Sequence, residues 1–272
     1  MTKTNIQAAP GVRTLENQPS GRRNWLKAVR AIDRLRRDND DTEQVFLIIE
    51  ALKGKANDEH LERFRSTEIG RKVLAEKRSA LDFLTKREWL KSLPEGTLGK
   101  IYIDFMIREG LTAEGLRDVS YEGGFATETY GDDDERVFAE WNRDIHDLFH
   151  IITGYGRDPL GELSVLAVTY EQTKSLGVGF IALMGAFEYQ RKLKGTPAFK
   201  SVLQGFRIGR KAEDLVAQDW EYLLTLPIEE VRERLKLREP SFYNRVIATA
   251  KRKLFDYPRY RELYAPAAIA AE

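Results

Sequence analysis

Apolar residues recur at spacings of three and four along almost the whole of this 272-residue chain, and the nine prolines fall at the breaks between those stretches. Strand-like alternation is scarce. The pattern predicts an all-α protein, a single-domain helical bundle, preceded by a disordered or extended leader over residues 1–23 and followed by a flexible tail over 261–272. The bundle itself is expected over 24–260. A chain of this length can bury a substantial core without staples.

Composition narrows the function. There are 44 Lys and Arg against 43 Asp and Glu, a formal net charge of +1, which removes the broad positive field that nucleic-acid binding needs. The chain has no Cys. That excludes a disulfide scaffold, a zinc ribbon and a thiol nucleophile, fits a reducing compartment, and leaves His, Asp and Glu as the residues able to hold a metal. The longest apolar stretch, Leu176 to Phe187, is well short of the roughly 20 residues that span a bilayer. Cytoplasmic residence is the expectation.

The first helix is expected to show an apolar stripe of Trp25, Val29, Ile32 and Leu35, with Lys27, Arg30, Arg34, Arg36 and Arg37 on its other face. That basic face is either solvated or set against an anionic membrane surface. A second helix is expected over about Asp41 to Leu52, a pair broken near Ser66 to Gly70, and an apolar helix after the Pro94 to Gly99 turn. Ser120 to Asp134 reads as a loop. One helix is expected from about Glu135 to Thr153, one from about Val178 to Lys192, and others over about Val202 to Leu224, Ile228 to Leu235 and Phe242 to Phe255.

Two of the three histidines, His146 and His150, lie four apart in ERVFAEWNRDIHDLFHIIT, with Asp147 between them. Residues four apart on a helix point the same way, so two imidazoles can share one ion. Glu162 follows twelve residues after His150, beyond the turn GYGRDP, where an antiparallel helix returns it to the same place. Two imidazoles and two carboxylates suit Zn2+, Mn2+ or Fe2+. The spacing resembles the His-Glu-x-x-His helix of metalloproteases, and the His-Asp doublet resembles that of metal phosphohydrolases, but neither accounts for Glu162. Arg143, one turn before Asp147, is a candidate to neutralise a substrate carboxylate or to hold a ligand, beside the plainer reading of an ordinary helix pair. Tyr155 and Arg157 sit in the turn. Gly177, Gly179 and Gly185 in LGVGFIALMGAF either let helices approach closely or leave a groove for a hydrocarbon chain, whereas GFRIG lacks the preceding strand of a phosphate cradle.

The run HDLFHIITGYGRDPLGE closely resembles the His-Asp-x-x-His, eleven residues, Glu signature of the Coq-four family of ubiquinone (coenzyme Q) biosynthesis proteins. GRKVLAEK, LPEGTLGKIYIDFM, GELSVLAVTYEQT and DWEYLLTLPIEEVRERLKL resemble further segments of that family, so the likeness covers roughly Gly70 to Leu237. Leu166, Thr169 and Gly177 depart from the usual residues and suggest a bacterial branch. The resemblance implies a divalent ion, usually zinc, held by His146, Asp147, His150 and Glu162, and decarboxylation with hydroxylation at C1 of a polyprenylated hydroxybenzoate-type ring. Arg143 joins those four as a candidate catalytic residue. It also implies peripheral attachment to the cytoplasmic face of the inner membrane, contact with other ubiquinone-biosynthesis enzymes, and an alternative role as a non-catalytic scaffold that binds polyprenyl lipid. Homo-oligomerisation stays open.

Overall fold

The computed structural model describes residues 23–37, 42–52, 54–113 and 132–254. The leader up to residue 22, most of the Ser120 to Asp134 loop and the 261–272 tail therefore lie outside the described residues. Within them the chain is all-α. Fifteen helices are described: α1 Trp25–Arg37, α2 Thr42–Leu52, α3 Ala56–Ser66, α4 Glu68–Glu76, α5 Leu81–Leu84, α6 Arg87–Ser92, α7 Leu98–Arg108, α8 Asp133–Asp144, α9 His146–Thr153, α10 Pro159–Thr173, α11 Leu176–Lys192, α12 Ala198–Lys211, α13 Trp220–Leu223, α14 Ile228–Arg234 and α15 Ser241–Leu254. The only β pairing among the described residues is an isolated antiparallel bridge between Thr97 and Pro227.

The core is built around α10, which is buried along much of its length and packs against α11 and α12. Its close approach to α12 follows from two glycines four apart: a Cβ on Gly205 would lie 2.5 Å from the Ser164 carbonyl oxygen, and one on Gly209 would lie 2.7 Å from that of Val168. Gln172 of α10 completes the seam, donating to the Gly209 carbonyl at 2.8 Å and accepting from the Leu215 amide at 2.8 Å. Buried aromatics fill the far side, where the Trp141 indole donates to the Val216 carbonyl at 3.0 Å.

Three expectations change. The helix expected from Glu135 to Thr153 is interrupted at Ile145, where the ladder tightens to a three-residue bond from the Leu148 amide to the Ile145 carbonyl, 3.1 Å. The helix expected over Val202 to Leu224 ends at Lys211. There the Asp214 carboxylate accepts from the Val216 and Ala217 amides, offering the backbone a local turn in place of the helical ladder. In α1 the apolar stripe is divided, for Ile32 is buried while Trp25 and Val29 face outward.

Candidate metal centre

The residues between α9 and α10 fold locally for identifiable reasons. Gly154 closes α9 in the left-handed region at φ 75°. The last carbonyls of α9 are taken up by Arg232 of α14, which donates to Ile151 and Ile152 at 3.1 Å each. Asp158 then caps α10, its Oδ1 accepting from the Leu160 and Gly161 amides at 3.1 and 3.2 Å, and Pro159 occupies the first helical position. Gly161 is required by packing: a Cβ there would sit 1.9 Å from the Gly156 carbonyl oxygen. The Tyr243 hydroxyl of α15 locks the same turn, donating to Asp158 and accepting from the Gly156 amide at 3.0 Å.

This hairpin brings His146, His150 and Glu162 together, one ligand atom from each lying within 4.8 Å of the others. His150 Nε2 is 3.3 Å from His146 Nε2 and 3.3 Å from Glu162 Oε2, and His146 Nε2 is 3.7 Å from the same carboxylate oxygen. On its other edge His150 Nδ1 lies 3.1 Å from the Tyr155 carbonyl. A carbonyl only accepts, so Nδ1 carries the hydrogen and the Nε2 lone pair faces the cluster. Two imidazole nitrogens and a carboxylate oxygen converge here at separations that either a shared proton or a cation satisfies. The separations match the roughly 3.3 Å edges of a tetrahedral site with bonds near 2.0–2.1 Å, so the residues fit a divalent metal.

The same convergence couples the charges of the cluster. Burial alone disfavours the charged forms of both His150 and Glu162, but their mutual attraction and hydrogen bonding outweigh it. Glu162, helped by Asp147, raises the His150 imidazole above its ordinary value, while His150 and His146 together hold the Glu162 carboxyl well below the carboxylate range. His150 is buried, whereas the His146 and Glu162 side chains keep about a quarter to a third of their surface, so the cluster opens on that side.

Asp147 is buried beside the cluster and acts on His150 through its charge, but it is not one of the three residues whose ligand atoms converge. Arg143 turns away to Asp144, with Nη2 3.0 Å from its Oδ1, while the Ser79 hydroxyl donates to the other oxygen. The third histidine, His60, stands apart in the core against the Phe138 ring. Tyr155 contributes its backbone carbonyl, and its buried phenol points to the Ser201 carbonyl. Arg157 lines a cavity of about 510 Å³ with Phe105, Arg108, Tyr243 and Ile247, which none of the three converging residues lines. The glycines of α11 serve helix packing: Gly179 and Gly185 are filled by the side chains of Tyr170 and Leu163. Sequence reasoning missed Asp158, Tyr243 and Arg232, of which only the Asp-Pro pair ahead of α10 carried a readable cap signal.

An all-helical bundle with a His, His, Glu cluster on a helix-turn-helix defines the class. The chain belongs to the family described as Coenzyme Q (ubiquinone) biosynthesis protein Coq4, whose model matches residues 26–241, reaching further toward the N-terminus than the motifs alone indicated. It is 26% identical over 180 residues to the mitochondrial ubiquinone biosynthesis protein COQ4 homolog of Aedes aegypti, covering 65% of this chain and 61% of that protein. It is 28% identical over 180 residues to the mitochondrial coq4 protein of Schizosaccharomyces japonicus, covering 65% and 71%. The chain thus spans less than two thirds of the length of the Aedes relative. A crystal structure from Nostoc punctiforme, described as that of a candidate ubiquinone biosynthesis protein, shares the fold with a TM-score of 0.55 at 23% identity over 79% of this chain and 98% of that one. No helix among the described residues is long and apolar enough to cross a membrane.

Proposed function

We propose that the chain is a metal-dependent enzyme of ubiquinone biosynthesis that removes the C1 carboxyl of a polyprenylated hydroxybenzoate-type acid as CO₂ and sets a water-derived hydroxyl in its place, with dioxygen taking up the two electrons, so that acid, water and dioxygen give the phenol, CO₂ and hydrogen peroxide. The observation that carries this reading is the convergence of His146, His150 and Glu162 on one point. A divalent ion held there, zinc or another such as Mn2+ or Fe2+, supplies Lewis acidity toward the substrate's carboxylate or phenolate oxygen. His150, fixed by the Tyr155 carbonyl, keeps its Nε2 aimed inward. Glu162 brings the negative charge, and Asp147 strengthens the hold of His150 on a cation. The half-open side at His146 and Glu162 is where substrate meets the cluster. A polyprenyl tail places the work at a membrane surface, beside other enzymes of the same synthesis.

The test is elemental analysis of protein purified without an affinity tag, wild type beside His150→Ala, followed by turnover of a prenylated hydroxybenzoate with CO₂ release as the readout. One equivalent of metal that the variant lacks, and turnover that the variant loses, support the proposal. Wild-type protein that stays metal-free after incubation with Zn2+, Mn2+ or Fe2+ sinks it and leaves the non-catalytic scaffold as the better account.

A further inference from the structure

The divided stripe of α1 leaves apolar side chains in water. Trp25, Leu26 and Val29 are 50%, 61% and 51% exposed, and on a helix they share an arc of about 100°. Arg30, Arg34 and Arg37 occupy the next arc and are exposed as well. Residues 23–37 hold six basic residues and one acidic residue in a chain whose net charge is only +1, so the remainder is net acidic and positive charge is concentrated here. The apolar edge continues on α11: Trp25 meets Phe180 edge-on with ring centroids 6.0 Å apart, and Leu183 and Phe187 beyond it are 37% and 53% exposed.

We propose that this face is a docking surface for an anionic lipid bilayer. Trp25, Leu26 and Val29 enter the boundary between headgroups and acyl chains, and Arg30 and Arg34 lie against the lipid phosphates. An indole at the margin of an apolar edge suits that depth. A second copy of the chain fits the same face poorly, because a two-fold contact would set one basic arc against the other. The docking extends the membrane part of the proposed function and names the surface, but it does not depend on the metal cluster. Because α11 also packs on α10, which carries Glu162, the face lies one helix away from the cluster.

The experiment is co-sedimentation of the full chain with phosphatidylcholine vesicles containing about one-third phosphatidylglycerol, beside pure phosphatidylcholine, with metal-loaded and metal-stripped protein. Wild type is expected to partition to the anionic vesicles in both metal states and to release in high salt. The triple variant Trp25→Glu, Leu26→Glu, Val29→Glu is expected to lose about tenfold or more in partitioning with unchanged circular dichroism, and Arg30→Glu with Arg34→Glu to lose the preference for anionic lipid. If the triple variant binds as wild type does, this face is not the dock, although membrane action through another surface survives. Wild type that ignores both vesicles, or that dimerises through this face in a manner the triple variant abolishes, overturns the docking while metal loading and turnover remain separately measurable.

Discussion

His150 and Tyr155 are joined by a 3.1 Å hydrogen bond from the imidazole Nδ1 to the backbone carbonyl, so a residue five positions downstream decides which nitrogen of His150 faces the cluster. Partners of this kind are worth about 10- to 100-fold in metal affinity. Tyr155→Ala, which empties a buried position and lets that carbonyl drift, is expected to weaken metal binding by that range while leaving all three converging side chains in place. Competition titration with a chromophoric chelator reads the change, and unaltered affinity would remove the carbonyl from the account.

Asp147 separates a neighbour from a ligand. Asp147→Asn is expected to retain one equivalent of metal with affinity reduced about tenfold, because it removes only a charge felt at His150, whereas Glu162→Gln is expected to lose the metal. Equal loss of metal in both variants would instead make Asp147 a ligand.

Binding is expected to fail with acid. The metal competes with a proton for the Nε2 lone pairs, and Glu162 raises the affinity of His150 for that proton. Affinity should therefore fall by at least about tenfold between roughly pH 8 and pH 5.5. Calorimetry in buffers of different ionisation enthalpy checks it through the protons released on binding.

His60 makes an independent acid-sensitive element. Burial, with Arg63 nearby, lowers its pKa to about 4, and its Nε2 is buried without a hydrogen-bond partner among the described residues. The folded value lies below the ordinary 6.5, so the unfolded chain binds the proton more readily and stability rises with pH across that window. From about pH 6.5 down to about pH 4 the folded state should lose roughly 3 kcal/mol through this residue, and His60→Leu should flatten that slope in denaturant titrations.

Gly161→Ala is expected to destabilise the protein by about 3 kcal/mol and to impair metal binding together with stability, since its methyl group collides with the Gly156 backbone rather than with a movable side chain. Thermal unfolding and metal content measured on the same sample test both halves.

The helical class and the meeting of His146, His150 and Glu162 were legible because both follow from spacing: four residues make one helical turn, and GYGRDP announces the reversal that returns Glu162. The break at Ile145 was not, since nothing in IHDL marks a single tightened turn. The end of α12 was hidden in the same way, for Asp214 stops it by folding its carboxylate onto the next amides, a choice that a helix-compatible residue does not advertise. Trp25 and Val29 fit a core stripe by period alone, and only the packing of the neighbouring helices decides how much of such a stripe is covered. Arg143 has Asp144 and Asp147 both within reach in sequence, and it takes the adjacent one, which Ser79 also holds.

The two helices of the centre are joined by a turn only a few residues long, and the three converging residues fall within seventeen consecutive positions. Little chain entropy has to be surrendered to bring them together, because no distant segment must find its way back across the molecule. The closure that does depend on distant chain is made by Tyr243 and Arg232, which clamp the turn at Asp158 and at the last carbonyls of the first helix.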